Sequence, residues 1–230
     1  MEPFRRAFVR FLLECDALRF GDFTTKSGRK SPYFINTGMI RTGAQLARMG
    51  EFYAHAIEHH FGGSIDNLYG PAYKGIPLAV ASAAALHRLY NRDFGVSFNR
   101  KEAKDHGEGG LIVGQPYDKP SRVLIVEDVI TAGTSVRETM ELMKNYPNAK
   151  IEGLIVSVDR MEKVGDENLS ALEQVRREHG VKTVSIITID DLMGALVDRS
   201  ITSLFPIAPD QLDRMKAYRE RYGATGAGEA

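Results

Sequence analysis

Short apolar segments alternate with helix-like segments through the middle of the chain, and this alternation restricts the possible folds more than any other feature. Strands are predicted at 65–69, 94–98, 122–126, 151–158 and 183–189, with helices at 45–61, 76–89, 134–144 and 169–179. Elements of these lengths in this order are typical of parallel β-α-β units. Every residue of Val123-Leu124-Ile125-Val126 is apolar, as expected of a central parallel strand buried on both faces. The sequence therefore predicts an α/β fold in which helices flank a mostly parallel central sheet.

Segments of different character precede and follow this core. Apolar residues recur at helical spacing from Phe4 to Cys15, which predicts an amphipathic N-terminal helix. Residues 24–43 are rich in Gly, Ser, Thr and Pro and predict a short extended pair or a loop-rich cap. A surface helix is predicted at 209–222, and the tail at 223–230 offers no core-forming residue. We therefore divide the chain into an N-terminal helix and cap (1–43), a core (44–205) and a C-terminal helix with a flexible tail (206–230).

The charge and cysteine content exclude several classes of protein. The 230 residues include 30 Lys plus Arg and 30 Asp plus Glu, so the formal net charge is zero, which argues against a nucleic-acid-binding protein. The single cysteine, Cys15, rules out an internal disulfide framework and a cysteine-rich zinc site. No apolar run approaches the roughly 18 residues that a membrane span requires, and charged residues interrupt the N-terminus where a signal peptide needs an apolar segment. We therefore expect a cytoplasmic protein that binds neither nucleic acid nor membrane.

The most informative motif is the segment 123–135, VLIVEDVITAGTS. A buried strand ends at two acids, Glu127 and Asp128, and small and hydroxyl residues lead into a predicted helix. The carboxyl end of a parallel strand is where α/β folds bind ligands, and the free N–H groups from Ala132 to Ser135 suit a phosphate monoester. The acids would then face sugar hydroxyls or a divalent cation. The alternative is a capped helix in which the acids serve the cap.

A second strand also runs into a glycine-flanked turn and then a helix, at 68–77, LYGPAYKGIP. Lys74 lies in this turn, where a diphosphate would meet both a cation and backbone donors. Taken alone, the segment is more simply explained as a plain turn with an exposed lysine. Its position one β-α unit before the acidic segment favours a ligand-binding role.

The segment 100–110, RKEAKDHGEGG, contains charged and glycine residues and a single alanine as its only apolar residue. It cannot contribute to a core, so the simplest interpretation is a solvated, partly disordered loop. Arg100, Lys101, Lys104 and His106 are nevertheless cationic donors, and the glycines permit hinging. The same composition is expected of a mobile lid that closes over a polyphosphate and excludes water.

These three segments, in this order and spacing, resemble the ligand-binding loops of the type I phosphoribosyltransferases. The acidic segment resembles the family's motif for phosphoribosyl diphosphate (PRPP), with Glu127-Asp128 where two aspartates are frequent. The resemblance implies that the acids hold the ribose hydroxyls, that the following loop holds the 5-phosphate, and that Tyr73 and Lys74 contact the diphosphate. The PRPP-binding residues that it implies in the acidic segment are Glu127, Asp128, Val129, Ile130, Thr131, Ala132, Gly133, Thr134 and Ser135.

With 26–34, KSGRKSPYF, and Val158-Asp159-Arg160 added, the resemblance covers roughly residues 4–200 and points to the orotate-specific members of the family. Residues 1–43 would then form a hood over the base site.

Orotate is a planar pyrimidine that carries a carboxylate, so its site needs a cation, backbone amides and an apolar ring face. The cap can supply these from three residues: Lys26, Phe34 and Ile35. The planar guanidinium of Arg160 could pair with the carboxylate in a forked geometry. The alternatives are an ordinary core aromatic for Phe34 and a surface ion pair of Arg160 with Asp159 or Glu162.

The resemblance implies that a ring nitrogen of orotate attacks the anomeric carbon of PRPP, that diphosphate leaves, and that orotidine monophosphate forms. The protein's task is then electrostatic stabilisation of the leaving group, with Mg²⁺ held mainly by PRPP. The implied catalytic residues are Lys101, Lys104, His106 and Asp128, and Lys74 and Arg100 assist. The family also implies a homodimer in which the lid of one subunit reaches into its partner's site.

Two alternatives remain open. The first is a purine-type phosphoribosyltransferase, against which Lys26 and Arg160 argue. The second is a PRPP-sensing regulator of the same fold that binds nucleic acid, against which the zero net charge argues.

Overall fold

The structure is a computed structural model that describes residues 2–25, 27–104, 110–130, 133–165 and 167–225, without the side chains of 102–104 and 110. The α-helices in these residues are α1 (Pro3–Glu14), α2 (Gly43–His60), α3 (Gly75–Tyr90), α4 (Thr134–Met143), α5 (Ala171–His179), α6 (Ile189–Ala195), α7 (Arg199–Thr202) and α8 (Gln211–Tyr222). The strands are β1 (Leu18–Thr24), β2 (Lys30–Ile35), β3 (Asn67–Gly70), β4 (Gly95–Lys104), β5 (Gly110–Gly114), β6 (Ser121–Val126), β7 (Ala149–Asp159) and β8 (Lys182–Thr188).

Six strands form the central sheet, in the order β5-β4-β3-β6-β7-β8. All neighbouring pairs are parallel except β4 and β5, which are antiparallel. Leu124 and Val126 pack into one core cluster, whereas Val123 and Ile125 pack into a second one. Since successive strand residues face opposite sides of a sheet, β6 is buried on both faces. The predicted α/β fold with a mostly parallel sheet is confirmed.

The N-terminal segment forms a helix followed by a two-stranded hairpin. Pro3 stands in the first turn of α1, where its missing N–H costs no hydrogen bond, and Phe8 and Leu12 are fully buried on one face of the helix. β1 and β2 pair in antiparallel register, with Leu18 opposite Ile35. An extended pair is present, but only β2 lies within the predicted segment 24–43, because β1 begins at Leu18. A short 3₁₀ turn, Thr37–Met39, connects β2 to α2.

The predicted boundaries of the loop at 100–110 are wrong, because strands occupy both ends of this segment. β4 continues to Lys104 and β5 begins at Gly110, and Asn99 pairs with Ile112 across the hairpin. Ladder hydrogen bonds join backbone groups, so pairing with β5 extends β4 into a polar segment that has no apolar alternation. Residues 105–109 lie outside the described part of the chain.

The predicted C-terminal surface helix is α8, but one of its faces is buried. Gln211, Met215 and Tyr218 are buried, and Gln211 Nε2 donates to the Pro32 carbonyl at 2.8 Å. Ala224, in the tail that was expected to contain no core residue, is buried as well. Charged residues dominate the sequence of this helix and obscure its apolar face. Among the described residues, none of the helices combines the length and the apolar character that crossing a bilayer requires.

Candidate active site

β3 and β6 lie side by side at the centre of the sheet, and their carboxyl ends form the candidate site. Leu68 pairs with Leu124 and Tyr69 with Ile125 in parallel register. From β3 the chain crosses through α3 to β4 on one side, and from β6 it crosses through α4 to β7 on the other side. A crevice opens where the strand order reverses in this way, and α/β proteins bind ligands there. The segments 68–77 and 123–135, which the sequence analysis identified as ligand-binding loops, both reach this crevice.

The turn after β3 contacts the acidic segment after β6. Lys74 Nζ lies 2.8 Å from Asp128 Oδ2. The backbones are also close, since a Cβ added at Gly75 would lie 2.8 Å from the Val126 carbonyl oxygen. The two loops therefore share one edge of the crevice.

Asp128 is buried and is fixed by donors from several elements. Its Oδ1 accepts from the Val129 N–H at 2.6 Å, and its Oδ2 accepts from the Thr37 hydroxyl at 2.9 Å. Its backbone carbonyl accepts from the Ser157 hydroxyl at 2.6 Å. These contacts join the cap, the acidic segment and β7, so the carboxylate has a defined position before any ligand binds.

Glu127 is also buried, and its carboxylate is hard to ionise. Its Oε1 accepts from the Asp128 N–H at 3.1 Å, and its carbonyl accepts from the Tyr53 hydroxyl at 2.6 Å. Burial raises the pKa of Glu127, and the hydrogen bond from the Asp128 N–H offsets that shift only in part. In the described residues, the backbone N–H groups that these two carboxylates bind belong to Asp128 and Val129 and not to the first turn of α4. This arrangement disfavours the alternative in which the acids cap the helix.

The first turn of α4 presents backbone donors at the same edge. Gly133 precedes the helix with a φ of 69°, a left-handed conformation that favours glycine. The N–H groups of Thr134, Ser135 and Val136 have no acceptor within a helix that begins at Thr134. Val136 is fully buried and anchors the turn to the core. The geometry suits an anion, as the sequence predicts, whereas Thr131 and Ala132 lie outside the described residues.

Val129 and Ile130 connect this turn to the core. They are partly buried, Val129 against the first core cluster and Ile130 against the second. Their side chains therefore help to hold the loop in place, and the Val129 N–H is already bound to Asp128 Oδ1.

The polar end of β4 approaches the Lys74 turn. The Ala72 N–H donates to Asn99 Oδ1 at 2.9 Å, and Lys101 Nζ lies 5.1 Å from the centre of the Tyr73 ring. Tyr73 exposes 68% of its surface. The structure therefore brings Lys101 to the predicted diphosphate loop, and Arg100 precedes it in β4. The Lys104 side chain and all of His106 lie outside the described residues.

The cap offers one exposed ring, that of Phe34. This side chain is 41% exposed and stacks on Phe23 with ring centres 5.3 Å apart. The alternative of an ordinary core aromatic is therefore wrong for Phe34. The side chain of Ile35, by contrast, is packed in the first core cluster, so of the groups expected of the cap Ile35 has its backbone amide to offer. Lys26 lies outside the described residues.

Arg160 is buried and already faces a carboxylate. Its side chain is 13% exposed, and Nη2 lies 2.5 Å from Glu162 Oε1. Its guanidinium carbon lies 5.0 Å from the centre of the Tyr33 ring. The ion pair named as an alternative is therefore present, but it is buried and not on the surface. Tyr33 and Phe34 point to opposite faces of β2, so the structure does not bring the Phe34 ring against Arg160.

Comparison with known proteins agrees with this geometry. The family model described as "Phosphoribosyl transferase domain" matches residues 37–186. The chain is 48% identical over 223 residues to the orotate phosphoribosyltransferase of Nitrosococcus oceani, with 97% of each protein covered. It is 46% identical over 224 residues to that of Clostridium beijerinckii, with 97% of this chain and 100% of the relative covered.

The chain belongs to the orotate phosphoribosyltransferase family. A crystal structure of the orotate phosphoribosyltransferase of Francisella tularensis has the same fold, with a TM-score of 0.81 at 36% identity. The match covers 94% of this chain and 99% of that one. Together these findings confirm the family predicted from the three segments.

Several side chains that shape the site of this orotate phosphoribosyltransferase family member are missing from the sequence prediction. They are Thr37, Tyr53, Asn99 and Ser157. Ser157 gave a usable signal, because it is a polar residue inside the apolar run 154–158. No sequence signal marks Thr37 or Tyr53, because each donates a hydrogen bond to the acidic segment, which is distant in the sequence. Among the described residues, no group of three or more His, Cys, Asp or Glu side chains is placed to hold a metal.

Proposed function

We propose that this protein transfers the phosphoribosyl group of PRPP to orotate, which yields orotidine 5′-monophosphate and diphosphate. A ring nitrogen of orotate forms the new bond to the anomeric carbon, and the bond from that carbon to the diphosphate oxygen breaks. The observation that carries the proposal is the contact of Lys74 with Asp128 at the β3–β6 crevice. It supports the proposal because a substrate that carries both a diphosphate and ribose hydroxyls needs a cation beside a carboxylate.

The acidic segment is the site for the ribose phosphate. Asp128 and Glu127 are acceptors for the two ribose hydroxyls, and their burial keeps competing water away. The N–H groups and hydroxyls from Gly133 to Ser135 are the donors for the 5-phosphate. Because Thr37, Val129 and Ser157 already fix Asp128, little ordering is left to do on binding.

Negative charge builds up on the diphosphate as its bond to the anomeric carbon breaks. Positively charged side chains near the diphosphate therefore stabilise the transition state. Lys74 and Lys101 both lie at the diphosphate loop, and Arg100 is next to Lys101. From the family resemblance we assign Lys104 and His106 to the same task, and either can also protonate the leaving diphosphate. The substrate itself is the nucleophile, so electrostatic stabilisation is the main contribution of the protein.

We also propose that the reaction depends on Mg²⁺. The residues present fit this ion, because Mg²⁺ usually takes one or two protein carboxylates and its other ligands from substrate phosphates and water. PRPP itself would hold the ion mainly, through its phosphate oxygens, because Asp128 and Glu127 are assigned to the ribose hydroxyls. When bound, the ion neutralises negative charge that develops on the departing diphosphate.

For the base, we propose that Lys26 and Arg160 supply charge for the carboxylate and that Phe34 and Ile35 supply backbone amides. Arg160 follows the strand next to the acidic segment. A purine has no carboxylate for these cations, so the purine alternative does not explain them.

The test is an assay with PRPP and Mg²⁺ that follows the loss of orotate absorbance. We expect turnover with orotate and none with adenine or hypoxanthine, and we expect a chelator to abolish it. Lys74→Ala should lose most of the activity, whereas Lys144→Ala, which removes an exposed lysine on the surface of α4, should retain it. Turnover with a purine but not with orotate would refute the proposal.

We further propose a cytoplasmic homodimer in which the lid acts on the partner's site. One face of α3 supports the dimer: Pro77, Val80 and Ala84 are exposed at helical spacing and continue from Tyr73 at the site. A second copy of this chain is the partner that would place β4 of one subunit beside the crevice of the other. Mixing Lys104→Ala subunits with Asp128→Asn subunits should restore activity, because one intact site forms across the interface. No recovery in a confirmed mixed dimer would argue against a lid in trans.

A further inference from the structure

A cluster of polar side chains surrounds Glu162 at the point where the cap, the end of β7 and α8 meet. We call Arg29, Tyr33, Arg160, Glu162 and Tyr218 the Glu162 cluster. The hydroxyls of Tyr33 and Tyr218 donate to Glu162 Oε1 at 3.3 and 3.2 Å. Arg29 Nη1 donates to Oε2 at 3.5 Å, and Arg160 Nη2 lies 2.5 Å from Oε1. One carboxylate thus connects three elements that are far apart in the sequence.

We propose that Glu162 is a positioning residue, which holds the Arg160 guanidinium in the orientation that receives the carboxylate of orotate. The inference rests on the proposed function and adds to it a residue that does not itself touch the substrate. Glu162 acts through its ion pair with Arg160, and Tyr218 acts one step further away by fixing Glu162.

The first argument is the balance of charge. Two guanidinium groups, Arg29 and Arg160, face the single carboxylate of Glu162. The Glu162 cluster therefore carries a net positive charge in a partly buried environment, where unbalanced charge is costly. A ligand carboxylate supplies the missing negative charge, whereas an uncharged ring does not.

The second argument is the unused donor capacity of Arg160. Its Nε and Nη2 are buried and make no hydrogen bond of acceptable geometry to any described residue, although Nη2 lies within ion-pair distance of Glu162. A guanidinium carries five N–H donors in a fixed plane, so one neighbouring carboxylate cannot satisfy it. Glu162 thus fixes the plane of the group without exhausting its donors.

The third argument is that the tyrosines are dependable donors. Burial raises the pKa of Tyr33 and raises that of Tyr218 to about 12, so both hydroxyls are protonated at neutral pH. Tyr33 and Tyr218 also pack edge to face, with ring centres 5.9 Å apart. Their hydrogen bonds leave Glu162 little freedom to follow Arg160 if the guanidinium moves.

The fourth argument is that α8 is firmly attached at this point. The Lys163 N–H donates to the Tyr222 carbonyl at 2.9 Å, and the Ala224 N–H donates to the Met161 carbonyl at 2.8 Å. Arg29 Nη2 donates to the Lys163 carbonyl at 2.9 Å. The segment that carries Glu162 is therefore held from both sides, and the C-terminal helix becomes part of the support for the base site.

The experiment compares two nucleotides that differ only in the carboxylate, orotidine 5′-monophosphate and uridine 5′-monophosphate. Calorimetric titrations of the full chain are made with Glu162→Gln, which keeps the side-chain shape and removes the charge. We expect the affinity for orotidine 5′-monophosphate to fall by about tenfold, the scale of one lost positioning contact, and that for uridine 5′-monophosphate to stay unchanged. In steady state, the KM for orotate should rise while the KM for PRPP does not.

Two further variants make the result specific. Tyr218→Phe removes one donor to Glu162 without changing any charge, so it should shift the same affinity in the same direction by a smaller factor. Glu58→Gln is the matched control, because Glu58 forms a partly buried ion pair with Arg92 at the other end of the sheet. It should change neither nucleotide affinity.

Equal losses for both nucleotides would reduce Glu162 to a structural role and overturn the inference, and so would unchanged or tighter binding of orotidine 5′-monophosphate. These outcomes are distinct from failure of the proposed function, in which the unmodified protein would not convert PRPP and orotate at all.

Discussion

Gly75→Ala tests whether the close approach of the two loops is essential to the site. An alanine Cβ at this position would lie 2.6 Å from Pro71 Cδ, 2.8 Å from the Val126 carbonyl oxygen and 2.9 Å from the Gly70 carbonyl carbon. These are ring or backbone atoms, which cannot rotate away as a flexible side chain can. The loops must therefore separate, and Lys74, the residue before Gly75, must move away from Asp128.

The magnitude follows from two opposing terms. Overpacking of this kind costs about 1–3 kcal/mol, and the gain from replacing glycine is small because Gly75 is the first residue of α3 and not an interior one. The net loss of about 1–3 kcal/mol corresponds to a fall in melting temperature of roughly 2–12 °C for a chain of this size. The effect on catalysis should be larger, because a displacement of about 1 Å at a reacting centre can cost a factor of about 100. We expect kcat/KM for PRPP to fall by at least about tenfold.

Gly43→Ala is the matched control for this experiment. Gly43 is the first residue of α2, as Gly75 is of α3, and nothing lies within 4 Å of a Cβ added there. It should leave kcat/KM unchanged and the melting temperature equal or slightly higher. The reasoning is refuted if thermal melts and steady-state kinetics show the two variants to be alike.

Three other changes should be informative. Asp128→Asn should weaken PRPP binding more than orotate binding, because we assign Asp128, beside Lys74, to the ribose hydroxyls, which orotate lacks; equal losses in calorimetry would contradict that role. Lys104→Ala should lower turnover by at least about tenfold at an unchanged melting temperature, and normal turnover would remove Lys104 from the mechanism. Burial raises the pKa of Glu127 above its unfolded value, so its ionised form costs stability at neutral pH, and this cost disappears as pH falls through the raised pKa. Glu127→Gln should therefore melt higher than the unmodified protein at neutral pH, with a difference that shrinks in acid, while PRPP affinity falls; a lower melting temperature at neutral pH would refute the assignment.

The parallel core was predictable because its signals are local. The apolar run 123–126 and the alternation of strand and helix lengths require no knowledge of distant partners. β5 and the outer half of β4 were not predictable in this way. The outer half of β4 is mostly polar and β5 is a short apolar run between two glycines, and what makes them strands is the pairing of Asn99 with Ile112 and of Lys104 with Gly110. Such pairing depends on backbone groups that every sequence has.

The residues of the site also divide into those that a local motif predicts and those that depend on contacts between distant segments. Each ligand loop is a local motif, so Lys74 and Asp128 could be named from the sequence, and their adjacency followed from parallel topology. The hydrogen bonds of Thr37 and Tyr53 to the acidic segment could not be named, because they join elements that are far apart in the chain. The faces of Phe34 and Ile35 could not be distinguished from the sequence for a related reason. Only when 30–35 is known to be a strand does the alternation of faces bury Ile35 and expose Phe34.

The contacts of Asp128 differ in how easily a ligand can replace them. Lys74 exposes 62% of its side chain, so its ion pair with Asp128 is worth only about 0–1 kcal/mol and is readily exchanged. The hydrogen bonds from Val129 and Thr37 are short and involve a buried carboxylate, and charge-assisted bonds of this kind are worth about 1.5–3 kcal/mol each. On the proposed assignment, PRPP can therefore draw Lys74 onto its diphosphate while Asp128 keeps its hydrogen bonds to Val129 and Thr37. The weak contact is the one that must change during binding, and the strong contacts keep the geometry of the site.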